Sequence, residues 1–172
     1  MGYRRFPLPG IAVLVGVLVG GCADVAEQAP VVPRIENSRD AHGADPCRLL
    51  TDVQLGGIGL AGPGVGKAAA EGPRCEWRGA SGTVLGLTLY TNGGGIGMLA
   101  QHSEPSTRRV RVAGYPALET FTGRGEFCQY DVGVSDRQVV MASLEAPAPD
   151  SCVTLQRMVP LVAANLPPAG SP

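Results

Sequence analysis

"EFCQYDVGVSDRQVVMASLEA", residues 126–146, decides the fold. In its first half Cys128, Tyr130, Val132 and Val134 occupy alternate positions, so all four share one face of an extended chain. Ser135-Asp136-Arg137 is turn material, and "QVVMASLEA" beyond it predicts a second strand. Two strands joined so closely pair antiparallel. "TVLGLTLYT" (83–91) repeats the alternation, with Leu85, Leu87 and Leu89 on one face. "RRVRVAG" (108–114) sets Arg109 and Arg111 against Val110 and Val112.

Helical segments flank these strands. Asp45-Pro46 places a capping residue before proline, and Thr51-Asp52-Val53-Gln54 fits a capping box that Gly56 and Gly57 end. "GIGMLAQHS" (95–103) reads as a short helix. A longer one begins at Asp150 or Ser151, with Cys152, Leu155, Val159, Val162 and Leu166 spaced by three and four. Pro160 inside it removes a backbone hydrogen bond and is expected to kink or split the helix. The order predicts an α+β fold, an antiparallel sheet of about four to six strands with a C-terminal helix packed on it.

The start of the chain points to export. Arg4 and Arg5 precede an apolar run from Leu8 to Val19, and Gly20-Gly21 lead into Cys22. That is the order of a signal peptide, and the run is shorter than the ~20 residues that span a bilayer. Leu18-Val19-Gly20-Gly21-Cys22 resembles a bacterial lipobox, which would make Cys22 the lipidated first residue after cleavage. The expected divisions are therefore a signal peptide (1–21), a lipidated cysteine and flexible tether (22–44), one folded domain (45–166) and a C-terminal tail (167–172). The expected location is the outer face of the cell membrane, with the lipid at Cys22 as the membrane contact. His42 falls in the tether and reads as solvated.

Setting Cys22 aside leaves four of the five cysteines, Cys47, Cys75, Cys128 and Cys152. In an oxidising compartment an even set implies two disulfides. Three connectivities exist, and pairing Cys47 with Cys75 and Cys128 with Cys152 is preferred because each closes a modest loop. No pair is spaced as C-x-x-C, and only His42 and His102 could supply imidazole, so no metal site is expected. Losing Arg4 and Arg5 leaves 12 Lys+Arg against 15 Asp+Glu, a net charge near −3. That balance does not suit a nucleic-acid partner.

The glycine-rich stretch "GIGLAGPGVGKAAAEGPRCEW" (57–77) contains Gly57-x-Gly59-x-x-Gly62 and ends its glycine run in Gly66-Lys67. A dinucleotide fingerprint needs a strand before the glycines, whereas a capping box precedes them and Pro63 interrupts them. A P-loop needs glycine and serine or threonine where Ala61 and Ala68 stand. The stretch reads instead as a loop leading to a Cys75 strand, Lys67 as solvated, and no cofactor is expected. Trp77, two residues after Cys75, should share its face and pack against the disulfide. His102, Ser103 and Glu104 form the one cluster that a hydrolase could use, and Arg108, Arg109 and Arg111 the densest basic patch.

Asp45-Pro46-Cys47-x-Leu49-Leu50-Thr51, Cys75-x-Trp77, Gly114-x-Pro116-Ala117, a strand cysteine at Cys128 and a helix-start cysteine at Cys152, all after a lipobox, together resemble the actinobacterial lipoproteins grouped as domain of unknown function 3558. The preference for arginine over lysine fits a GC-rich genome. The resemblance implies an exported, lipid-anchored, disulfide-bonded domain and supplies no catalytic residue. Two functions of different class follow. The first is a non-enzymatic binding or interaction module for a small apolar ligand or an envelope protein. The second is a small envelope hydrolase whose site assembles around His102 only in the fold.

Overall fold

The computed structural model describes residues 35–123, 126–147 and 150–170. Cys22 and the proposed signal segment lie outside them. Among the described residues seven strands form one antiparallel sheet: β1 (Val65–Ala69), β2 (Gly72–Arg78), β3 (Val84–Tyr90), β4 (Arg108–Val112), β5 (Tyr115–Thr122), β6 (Phe127–Gly133) and β7 (Val139–Glu145). Their order across the sheet is β1-β2-β3-β7-β6-β5-β4, so β1 and β4 are the two edges. Three α-helices accompany it, α1 (Asp52–Gly56), α2 (Gly95–Gln101) and α3 (Ser151–Asn165). The α+β fold holds, with seven strands where four to six were expected.

Both additional strands come from segments whose local signals hide them. β1 lies in the glycine-rich stretch, where Gly66 and the alanines give no apolar alternation. It pairs with β2 through a two-residue turn at Ala70 and Glu71. β5 follows β4 directly, because Ala113 and Gly114 both take positive φ (50° and 88°) and reverse the chain in two residues. Turns with positive φ at both central positions match the twist of paired strands. Pro116 stands opposite Arg111 on the edge strand β4.

The hairpin of residues 126–146 forms as read, with β6 and β7 registered from Phe127 opposite Glu145 to Gly133 opposite Val139. One face of the sheet carries the core: Cys75, Trp77, Leu85, Leu87, Leu89, Cys128, Tyr130, Val132, Val140, Ala142 and Leu144 are all buried. Helix α3 lays Leu155, Met158, Val159 and Val162 into that core. The helix runs through Pro160 without splitting. Its N-cap, Asp150, makes no side-chain capping bond, and the Ser151 hydroxyl donates instead to the Glu126 carbonyl at 2.9 Å. At the other end of the sheet, Asp45 caps a 3-10 turn (Pro46–Arg48) and Thr51 with Gln54 forms the expected capping box of α1.

The folded part begins earlier than residue 45. Ile35 and Ala41 are buried, and the Arg39 amide donates to the Val134 carbonyl at 2.8 Å. Arg39 also bridges to Pro168, and the Ala169 amide donates to Ser38, so residues from both the expected tether and the expected tail pair with each other. The reason is chemical: Ile35 is apolar, and Gln138 takes the Ala41 amide at 2.7 Å, which fastens this segment to the sheet. At most residues 23–34 then separate Cys22 from the described fold.

Candidate functional site

The cysteines pair as expected, Cys47 with Cys75 and Cys128 with Cys152. The first staples the 3-10 turn to β2, and the second staples α3 to β6. Glu119 lies within 4.8 Å of the Cys128 and Cys152 sulfurs, but both are spent in the disulfide, so the group is no metal cage. Glu119 is instead the acceptor for the buried Tyr130 hydroxyl at 2.7 Å and pairs with Arg108 at 2.5 Å. Burial, and secondarily the Glu119 carboxylate, push the Tyr130 phenol above its ordinary range. Arg108 also lies 5.6 Å from the Phe121 ring centre.

The rest of the basic patch is engaged locally. Arg109 donates to the Ala100 carbonyl at the end of α2, and Arg111 to the Gly114 carbonyl in the β4–β5 turn. The His102 ring donates from Nδ1 to the Met98 carbonyl at 3.0 Å, and the Ser103 hydroxyl to the Ala100 carbonyl at 3.1 Å. Both contacts are to carbonyls of α2 near its C-terminal end.

The opposite face of the sheet is different in kind. Strand alternation places Glu76, between Cys75 and Trp77, and Asp131, between Tyr130 and Val132, on this second face. Helix α2 covers only part of it, packing Ile96 against Leu118 and Val139, with Leu99, Tyr90 and Met141 around them. Gly95 opens that helix at φ 67°, where a Cβ would collide with the Asp136 carbonyl. Toward β1 and β2 the face carries a charged strip. Glu76, 8% exposed, receives Arg78 at 2.6 Å, Lys67 at 3.1 Å and Arg74 at 3.7 Å. The Lys67 hydrogen bond, opposed by burial and reinforced by Arg78, holds the Glu76 carboxyl below its ordinary range. Lys67 is therefore an ion-pair partner and not a free cation. Three cations against one sunken carboxylate leave this end of the face positive in a chain that is net negative.

Asp131 is also 8% exposed, yet among the described residues its one bonded partner is the Gln129 amide at 2.8 Å. Leu118 and Met141 stand opposite it on β5 and β7. Burial in that apolar setting pushes its pKa up to about 6, against the smaller opposing effect of Gln129. Neither Glu76 nor Asp131 stood out from the sequence, although each is the acidic residue at an outward position of an alternating strand.

Two open grooves border the sheet. One, of about 530 Å³, runs along the β1–β2 hairpin between Gly66, Ala68 and Pro73 on one side and Asp45 and Pro46 on the other. The second, of about 640 Å³, is lined by His42, Asn92, Asp136, Arg137 and Gln138. His42 is exposed but tied: the Gln138 amide reaches its Nδ1 at 2.5 Å and Asp40 at 2.9 Å. The His42 backbone amide, then Gln138, hold the Asp40 carboxyl below its ordinary range.

No helix among the described residues is long and apolar enough to cross a membrane. No curated protein and no solved structure matches the chain. The sequence profile described as "Protein of unknown function (DUF3558)" matches residues 17–165. That span takes in all seven strands and all four paired cysteines. The chain therefore belongs to the DUF3558 family.

Proposed function

We propose that this chain is an extracytoplasmic interaction module, anchored through a lipid on Cys22, that binds a partner without catalysing a reaction on it. The observation carrying the reading is the asymmetry of the sheet. Helix α3, both disulfides and the residue 35–44 segment serve one face, while the other is left partly uncovered with a charged strip over β1 and β2. Such partly open polar surfaces suit a protein partner better than an enclosed apolar ligand. The lipobox-like Leu18-Val19-Gly20-Gly21-Cys22 motivates the anchor, and burial of Ile35 would hold the module close to it.

The test has two parts. Metabolic labelling with an alkynyl fatty acid in an actinobacterial host should mark the wild-type chain and not Cys22→Ser. A photo-crosslinking residue at Ser143, half-buried on the open face, should capture a discrete envelope protein, whereas one at Val153, on the outer side of α3, should not. Equal capture from both positions, or none from either, would overturn the interaction reading.

A further inference from the structure

We propose that the β1 edge is the docking site and that it takes an extended acidic polypeptide segment as an eighth strand. The inference rests on the interaction reading above and specifies its partner. Among the described residues β1 pairs only with β2, so one side of its backbone has no ladder there. The two-residue turn at Ala70–Glu71 makes Ala69 and Gly72 a hydrogen-bonded pair, and alternation then makes Lys67–Arg74 and Val65–Glu76 the next ones. Pro73, which has no N–H, falls in a non-bonded pair opposite Ala68, consistent with that phase. The N–H and C=O groups of Gly66 and Ala68 therefore point outward. Neither residue has a side chain large enough to obstruct an approaching strand.

The two edges of the sheet are not equivalent. β4 carries Arg108, Arg109 and Arg111, a density of charge that discourages edge pairing. β1 carries one charge, Lys67, which leans toward Glu76, and an apolar Val65 that is 61% exposed. The groove beside β1 continues past Gly66 and Ala68 to Pro46, leaving room for the added strand's alternate side chains.

Charge selects the occupant. On the open face the added strand would place alternate residues beside Lys67 and Arg74, with Arg78 beyond them. Glu76 is sunken among these cations, and Asp45 is engaged with the Cys47 amide at 2.9 Å. Carboxylates at alternate positions complement that strip. A second copy of this chain does not, because the antiparallel register using Gly66 and Ala68 on both edges sets Lys67 opposite its own counterpart.

The experiment uses the exported chain carrying Cys22→Ser and two blocked heptapeptides, Thr-Glu-Val-Glu-Val-Glu-Thr and its lysine counterpart. The acidic peptide should bind at least about tenfold more tightly at low ionic strength, with the margin shrinking as salt rises. The Gly66 and Ala68 amide resonances should shift. Lys67→Glu, which leaves two cations against two carboxylates, should erase the preference. Ala68→Pro should abolish binding, and since it removes an N–H with no partner among the described residues, the fold should remain intact by circular dichroism. No binding, binding that survives Ala68→Pro, or shifts confined to Thr88 and Ser143 would overturn the edge assignment. So would a concentration-dependent dimer that Ala68→Pro dissolves, which would name a second copy as occupant. Failure of the peptide with successful capture from Ser143 overturns this inference alone; failure of both removes the interaction reading as well.

Discussion

Asp131 is where this fold works against itself. Its folded pKa of about 6 stands above the ordinary 3.8, so the folded chain holds the proton more tightly than the unfolded one. Stability from this residue is present below about pH 4 and is lost as pH rises through about 6. Asp131→Asn keeps an acceptor for Gln129 and removes the buried charge. Urea unfolding should find the variant more stable at pH 7.5 by up to roughly 3 kcal/mol, the two-unit shift converted, with the difference vanishing near pH 3.5. A variant less stable than wild type at pH 7.5 would mean that the carboxylate is held by more than Gln129.

At the scale of elements, two substitutions separate local backbone chemistry from packing. Gly72 opens β2 at φ 143°, and a Cβ there would run into the Leu89 carbonyl. Gly72→Ala should cost about 1–3 kcal/mol and loosen β1, seen as faster amide exchange at residues 65–69 with β6 and β7 unaffected. Pro160→Ala should act oppositely, restoring a donor to the Gln156 carbonyl and raising stability by about 1 kcal/mol in the same assay. These elements also mark how far the sequence could be read. The β6–β7 hairpin, the capping box at Thr51 and the apolar stripe of α3 were legible because each rests on local periodicity or a local hydrogen bond. β1 was not, because Gly66 and Ala68 carry no pattern and the strand exists only by pairing with β2. β5 was hidden by an Ala-Gly turn without the usual asparagine or aspartate. For the charged strip, Glu76 lay at a readable outward position, but its convergence with Lys67 needs the β1–β2 register.

For the whole molecule, the two disulfides close separations of 28 and 24 residues, each worth about 3.5 kcal/mol through restriction of the unfolded chain. Intact mass under non-reducing conditions should lie four hydrogens below the reduced chain, and full reduction should lower the melting temperature by well over 10 °C. Because the bridges staple opposite ends of the sheet, Cys47→Ser with Cys75→Ser should release the 3-10 turn while leaving α3 protected from amide exchange. Protection lost throughout would instead mark one indivisible folding unit. The contact between Arg39 and Pro168 has a further consequence for handling the protein. The two ends of the described chain leave the domain side by side, so a fluorescent reporter fused after Gly170 would sit near Ile35. A short linker from that region to Ile35, with new termini opened at the Ser81–Gly82 turn, would yield a circular permutant whose ends emerge elsewhere on the domain, freeing a different surface for display.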